Sequence, residues 1–226
     1  MNYLLEARNI IKTFDRKDDQ LTVLNNCSLG LESGESISIT GPSGSGKSTL
    51  LNVISGLDNS DSGELIYNGT DITSWTLDQF AIWRRENIGF VFQFHFLLPD
   101  FTAYENILIP SRIANKPAGS DEKFAMELLD HLGLADRKNH LPGELSGGEQ
   151  QRIAIARAFI NKPAILLADE PFGNLDSERG EQLTDMLFNL ANMNHSSIII
   201  VTHDKMLAAR TDRSLELDAG NLTSII

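Results

Sequence analysis

Hydrophobic residues recur along the chain in two patterns, one typical of buried strands and one of amphipathic helices. Short apolar runs occupy 164–168 and 197–201, and runs of this length are typical of strands covered on both faces. Between them, apolar residues recur at helical spacing over 178–193 and predict an amphipathic helix. Strands that alternate with helices in this way favour an α/β fold with a buried parallel sheet.

The beginning of the chain is rich in predicted strands. A charged turn over 15–20 separates the first two. A helix is predicted directly after a glycine-rich loop, over 47–56. Strands are predicted over 4–10, 22–31, 35–40 and 64–67, the last followed by the hairpin signal Asn68-Gly69.

The middle of the chain has a different pattern. After a strand predicted over 88–92, prolines punctuate the sequence, and helical spacing recurs over 122–132 and 149–160. We therefore expect a mostly helical insert over about 94–161. The turn residues 218–221 predict a hairpin between two terminal strands.

Composition narrows the class of protein. The 226 residues suit one domain, and 41% hydrophobic with 22% charged residues excludes disorder for most of the chain. The net charge of −12 argues against non-specific binding of nucleic acid. Cys27 is the only cysteine, so no internal disulfide forms. No apolar run reaches the roughly 18 residues of a membrane span, and the charged first eight residues do not resemble a signal peptide.

The strongest chemical signal is the loop from Gly41 to Ser48, which fits G-x-x-x-x-G-K-[ST]. Its glycines let the backbone curl around a polyphosphate, and its amides, with the following helix N-terminus, point at the anion. Lys47 is expected at the β- and γ-phosphates of ATP and Ser48 on Mg²⁺. The alternative is a flexible Gly/Ser loop, which the flanking strand and helix disfavour. The predicted nucleotide-binding residues of this region are Gly41, Pro42, Ser43, Gly44, Ser45, Gly46, Lys47, Ser48 and Thr49.

A pair of carboxylates follows the apolar strand that ends near residue 168. Asp169 is predicted to help hold Mg²⁺, and Glu170 to activate the attacking water. The alternative is a solvated acidic turn after a strand. The phosphate loop elsewhere in the chain favours the catalytic interpretation.

The run Leu145 to Arg152 resembles the signature motif of ATP-binding cassette (ABC) ATPases. Its small residues at a helix start suit an anion, although Ser146 and Glu149 also fit an ordinary capping box. In the family, this motif contacts the ATP held by a second subunit. The resemblance assigns nucleotide contacts to Ser146, Gly147, Gly148 and Glu149.

Other family elements follow in the same order. Phe14 resembles the aromatic residue that stacks on adenine, where most members have Tyr. Gln93 resembles the glutamine that ligates Mg²⁺ and senses the membrane subunit, and His203 the histidine at the γ-phosphate. Residues 174–176 match the loop that crosses the dimer interface. The resemblance therefore implies Glu170, His203, Lys47 and Gln93 as the catalytic set, with Ser48, Gln93 and Asp169 on the metal.

The run from Phe92 to Asn106 resembles the lipoprotein-releasing (LolD-type) branch, and its macrolide-exporter (MacB-type) and cell-division (FtsE-type) relatives are similar. Phe172 departs from the usual Thr, and its bulk near the dimer interface raises the question of altered packing there. The apolar run 94–101 is predicted to receive a membrane subunit. A packed loop within the helical insert is the alternative.

The resemblance implies a P-loop NTPase (RecA-like) α/β core with an N-terminal antiparallel β subdomain and an inserted α-helical subdomain, in one ABC ATPase domain over 1–226. It implies ATP hydrolysis with Mg²⁺, a dimer of two copies, permease subunits similar to LolC/LolE, and a peripheral position on the cytoplasmic face of the inner membrane. Three alternatives are disfavoured: an ABC ATPase acting on DNA or ribosomes, a nucleotide-gated scaffold, and a small-molecule kinase.

Overall fold

The computed structural model describes residues 3–16, 19–117, 119–173 and 177–225. The strands are β1 (Leu5–Arg16), β2 (Asp19–Leu31), β3 (Ser36–Thr40), β4 (Ser62–Tyr67), β5 (Thr70–Asp71), β6 (Ile88–Phe92), β7 (Ile165–Asp169), β8 (Ser197–Val201), β9 (Arg213–Asp218) and β10 (Asn221–Ser224). The helices are α1 (Lys47–Ile54), α2 (Leu77–Asn87), α3 (Ala103–Ile113), α4 (Glu122–His131), α5 (Gly147–Phe159), α6 (Ser177–Asn194) and α7 (Lys205–Ala208), with 3₁₀ turns at Ala135–Arg137 and Pro142–Glu144.

The strands form two sheets. One is antiparallel, with the order β2-β1-β4-β5. The other has the order β10-β9-β3-β8-β7-β6, in which the strands from β9 to β6 run parallel and β10 pairs antiparallel with β9. The carboxyl ends of β3, β6, β7 and β8 therefore meet at one edge of this sheet, where open α/β sheets place their ligands.

The core covers both faces of the parallel sheet. Along β7, Leu166 and Ala168 pack with helices α3 to α6, whereas Ile165 and Leu167 pack toward α1 and the antiparallel sheet. β8 alternates in the same way. Burial on both faces explains why these strands read as continuous apolar runs in the sequence.

The residues described between 94 and 161 form helices α3, α4 and α5, the two 3₁₀ turns and connecting loops. Apolar side chains of these helices pack against one face of the parallel sheet. None of the described helices combines enough length with enough hydrophobicity to cross a bilayer.

The first hairpin is longer than the hydrophobic pattern predicts. Pairing continues through Thr13–Thr22, Phe14–Leu21 and Asp15–Gln20, so part of the predicted turn over 15–20 is strand. Backbone hydrogen bonds sustain the hairpin where its side chains are exposed, and hydrophobic alternation cannot reveal such a segment.

Helix α2 has no counterpart among the predicted elements. Its N-cap is Thr76, which accepts a hydrogen bond from the amide of Gln79, while the Gln79 side chain accepts one from the amide of Thr76. Phe80 and Trp83 are its buried residues. A Thr-x-x-Gln capping box before two buried aromatic residues was the sequence signal for this helix.

Candidate functional site

The loop between β3 and α1 closes around its own lysine. The Lys47 ammonium group donates to the carbonyl oxygens of Gly41 and Pro42, at 2.9 Å each. Gly46 has φ 104°, and a Cβ there would lie 2.8 Å from Val23 Cγ1. The tight approach of β2 therefore requires glycine at this position.

The tip of this loop is open to solvent. Pro42, Ser43, Gly44 and Ser48 are exposed, while Thr49 is half-buried in the first turn of α1. The Ser45 hydroxyl is buried, and no described group hydrogen-bonds to it. The loop thus offers accessible amides and an unsatisfied hydroxyl at a helix N-terminus, which is the chemistry of a phosphate site.

Asp169 lies at the end of β7, within hydrogen-bond reach of the Ser48 side chain. Burial raises the pKa of Asp169, and the Ser48 hydrogen bond opposes this rise. The carboxylate and the hydroxyl belong to elements far apart in sequence, and the parallel sheet brings them together.

Glu170 and His203 meet at the ends of β7 and β8. The Nδ1 of His203 lies 2.8 Å from Glu170 Oε2. The Thr202 hydroxyl and the His203 amide donate to the same oxygen, at 3.3 Å each. Glu170 has a left-handed backbone, with φ 46°, so its side chain leaves the direction of the strand.

Gln93 follows β6 and points into the same region. A Cβ placed on Gly173 would lie 3.6 Å from His203 Cε1 and 3.7 Å from Gln93 Nε2. Gly173 therefore lies beside both the glutamine and the histidine, and a Cβ at this position would make ordinary van der Waals contacts with them.

Phe14 lies on β1 with 42% of its surface exposed. The Lys12 ammonium group sits 5.1 Å from the centre of its ring and donates to Asp58 Oδ1 and the Asn59 carbonyl oxygen, at 2.8 and 2.7 Å. Because β2 also contacts Gly46, the hairpin that carries Phe14 lies against the phosphate loop.

Ser146 caps α5, so the capping-box alternative describes a real contact. The Glu149 carboxylate accepts from the Ser146 amide at 2.8 Å and from its hydroxyl at 2.7 Å, and Arg137 Nε donates to it at 3.0 Å. These contacts lower the pKa of Glu149 to about 2. A Cβ on Gly147 or Gly148 would meet nothing within 4 Å.

Several supporting residues escaped the sequence interpretation. Thr202, Lys12 and Gly173 contact or lie beside predicted site residues. Only their closeness in sequence to those residues could have suggested them. Phe172 is 8% exposed and packs in the hydrophobic core, although its position next to the 174–176 loop raised the question of interface packing. Residues 174–176, the predicted interface loop, lie outside the described residues.

Residues 24–173 match the ABC transporter family model, and the chain belongs to this family of ATP-binding proteins. Among curated relatives, it is 49% identical to the lipoprotein-releasing system ATP-binding protein LolD of Porphyromonas gingivalis (98% of this chain, 99% of the relative) and 46% identical to that of Bacteroides fragilis (97% and 100%).

Among solved structures, the chain resembles the ATP-binding cassette MJ0796 in a dimeric post-hydrolysis state bound to ADP and Pi. The TM-score is 0.88 at 39% identity over 96% of both chains. The predicted fold, a P-loop ABC ATPase with an antiparallel β sheet and an α/β core, is confirmed by this likeness and by the observed topology.

Proposed function

We propose that the chain is the ATP-hydrolysing subunit of a transporter that releases lipoproteins from the inner membrane toward the outer membrane. The observation that carries the hydrolytic part is the Glu170–His203 contact at the sheet edge shared with the phosphate loop. The cargo is inferred from the similarity to the lipoprotein-releasing LolD proteins. These relatives do not favour the MacB-type and FtsE-type alternatives.

Lys47 and the amides of its loop are proposed to bind the phosphates of ATP. The ammonium group of Lys47 donates to two backbone carbonyl oxygens. Phosphate oxygens would replace these acceptors, and the Ser45 hydroxyl would gain a partner. Phe14, exposed beside this loop, would cover the adenine.

Ser48, Gln93 and Asp169 suit Mg²⁺, since hydroxyl, amide and carboxylate oxygens are the hard donors this ion prefers. Ser48 and Asp169, two of these residues, already lie within hydrogen-bond reach of each other. A bound Mg²⁺ would supply positive charge against the phosphate oxygens. Burial raises the pKa of Asp169 because it penalises the ionised carboxylate, and a bound cation would offset this penalty.

Glu170 is proposed as the general base. Water attacks the γ-phosphorus, its proton passes to the Glu170 carboxylate, and the bond to the ADP oxygen breaks. His203 and Thr202 fix the orientation of this carboxylate, and positioning of this kind lowers the barrier. Gln93 and His203 both lie beside Gly173, and Gln93 is proposed to share in orienting the water and the γ-phosphate.

A second copy of the chain would complete each site. Gly147 and Gly148 have no neighbour within 4 Å of an added Cβ, so packing within the chain does not explain the two glycines. Close approach of a phosphate to the start of the helix would explain them. We infer that Ser146 to Glu149 of one copy cover the ATP held by the other. The similar MJ0796 cassette is dimeric.

The membrane partner is inferred to dock on the segment after Gln93. Phe94, Phe96, Leu98 and Phe101 are 61, 62, 44 and 43% exposed, and an apolar patch of this kind is typical of a protein interface. LolC/LolE-like permeases would place the chain, as a peripheral subunit, on the cytoplasmic face of the inner membrane. We infer that residues 94–161 form the helical subdomain that moves with the permease.

Two measurements test this function. The tagged chain is purified from detergent-solubilised native membranes and its partners are identified by mass spectrometry. The recovered complex is then placed in vesicles loaded with an acylated lipoprotein, and ATP-dependent release is measured against a Glu170→Gln complex. Recovery of polytopic subunits and release only by the wild type support the proposal. Recovery of ribosomes or of soluble partners alone would overturn it.

A further inference from the structure

The segment after Gln93 has a strained and unusual conformation. Phe96 has φ 46°, a region that costs a non-glycine residue on the order of 1–2 kcal/mol. Its ring contacts Phe92 edge-on at 5.5 Å between ring centres and lies 6.2 Å from Phe94, yet it remains mostly exposed. Something outside the segment must hold this backbone in place.

Arg157, on α5, is the residue that holds it. One guanidinium nitrogen donates to the Phe96 carbonyl oxygen and the other to that of His95, both at 2.7 Å. Both short, charge-assisted bonds fall on the strained part of the backbone, and a guanidinium group can make two such bonds in one fixed geometry.

His95 lies near the start of the same helix. Its imidazole is close to the backbone of Gly147, in the first turn of α5. Gly147 and Arg157 are ten positions apart, about 15 Å along a helix. The exposed aromatic segment thus lies beside the first turn of the helix and is fastened to the helix near its end by Arg157.

We propose that Arg157 is a positioning residue, which holds the aromatic segment in the conformation that a permease binds and makes that segment move together with the Ser146–Glu149 end of α5. This proposal rests on the docking surface proposed above. Arg157 is placed in neither the ATP site nor the docking surface, so it affects turnover only through the segment it fixes.

The test measures ATP turnover of the complete complex and of the isolated chain. Arg157→Met is expected to reduce the stimulation of turnover by the permease about tenfold, within the usual range of coupling between sites, with basal turnover retained. Arg157→Lys, which can reach one carbonyl oxygen at a time, should give an intermediate value. Arg210→Met is the matched control, because Arg210 pairs with Asp185 on the surface, and it should keep full stimulation.

A second readout needs no permease. In the isolated chain, hydrogen exchange of the backbone amides of residues 94–98 is followed by NMR. Arg157→Met should make these amides exchange about tenfold faster, because the segment loses the two bonds that hold its backbone and opens more often, whereas Arg210→Met should leave their exchange unchanged. If Arg157→Met does not fold, Arg157→Lys is used for both measurements.

The docking surface and the positioning role of Arg157 would be overturned by different results. Loss of stimulation in Phe94→Ser but not in Arg157→Met would overturn the positioning role and leave the docking surface standing. Unchanged stimulation in both variants would overturn the docking surface and the coupling role with it. Unchanged amide exchange of residues 94–98 in Arg157→Met would show that the arginine does not hold the segment.

Discussion

Two adjacent residues at the edge of the parallel sheet, Asp169 and Glu170, have different environments that suit different chemical roles. Glu170 is held by His203, by Thr202 and by its own left-handed backbone. The adjacent Asp169 is instead partly desolvated, beside the hydroxyl of Ser48. Two neighbouring carboxylates thus differ in orientation and in their hydrogen-bond partners, because alternate positions face different surroundings.

Glu170→Gln should retain ATP binding and lower turnover by about 10²–10⁴-fold, the usual contribution of a general base. An amide keeps the shape and the hydrogen bonds of the side chain but takes up no proton. ATP hydrolysis and the sedimentation of an ATP-trapped dimer are the measurements. Turnover at the wild-type rate in this variant would remove Glu170 from the proton-accepting role.

Asp169→Asn should stabilise the nucleotide-free chain at neutral pH while abolishing turnover. The folded-state pKa of Asp169 is raised, so ionisation is penalised by folding, and stability falls as pH rises through the range between the unfolded and folded pKa values. The neutral amide removes this penalty. Tm should rise by about 2–4 °C for each kcal/mol recovered. Calorimetry at pH 7 with no gain in Tm would contradict the assignment of burial as the cause.

At the scale of elements, loops and helix starts are fixed by a few polar side chains. Both α3 and α5 begin with capping boxes, at Thr102 and Ser146. The buried Asn106 side chain bonds the backbone of Leu98, Phe101 and Thr102, and so shapes the end of the proposed docking segment.

Glu149→Gln should make the chain less stable at neutral pH by about 1 kcal/mol, because the amide can keep the capping geometry but loses the charge-assisted bonds from Ser146 and Arg137. Because the pKa of Glu149 is lowered from 4.5 to about 2, its contribution is complete above pH 4.5 and disappears as the pH falls toward 2. Urea unfolding of both proteins from pH 7 to pH 2 measures this. A stability difference that stays constant over this range would exclude the ionised cap.

Asn106→Ala should destabilise the chain by about 2–4 kcal/mol, since several buried backbone groups lose their partner. Asn192, an exposed asparagine in α6, provides the control, and Asn192→Ala should change stability by less than about 0.5 kcal/mol. Urea unfolding followed by circular dichroism compares the two variants. Equal effects would mean that the Asn106 bonds contribute little.

The strands of the parallel sheet could be predicted because they are buried on both faces. Predicted and observed ranges agree for β6 and β8, and differ by one residue at each end for β7. The ends of the β1–β2 hairpin and helix α2 could not be read from apolar spacing, because local hydrogen bonds define them. The hydrophobic pattern of the sequence indicates which residues are buried, whereas these segments are determined by backbone pairing and by helix caps.

At the scale of the whole molecule, the topology assembles a site from segments far apart in sequence. Strand order β3-β8-β7-β6 brings the phosphate loop, His203, Glu170 and Gln93 to one edge. The motifs predicted residues that the structure brings to this edge. They could not predict the contact of Thr202 with Glu170 or the position of Gly173 beside Gln93 and His203, because those depend on the register of neighbouring strands.

A mixture of two inactive variants should regain activity if the site is shared between copies. Ser146→Arg should abolish turnover without weakening ATP binding to the monomer. When Ser146→Arg chains are mixed with Glu170→Gln chains, some dimers contain one copy of each. In such a mixed dimer, one site has both the intact Glu170 and the intact Ser146. Turnover of about a quarter of wild type is expected from random pairing, with two mixed arrangements in four and one intact site in each. No recovery in mixtures that form dimers would contradict the shared site.

The two hydrogen bonds from Lys47 to the carbonyl oxygens of its own loop have a kinetic consequence. Bonds within the chain order the loop around its own lysine, so binding of ATP exchanges one set of acceptors for another and requires no folding of the loop. Association should therefore proceed in one concentration-dependent phase, without a slow step that saturates. The rate of the transport cycle would then be set by the closure and reopening of the two copies, and not by the binding of ATP.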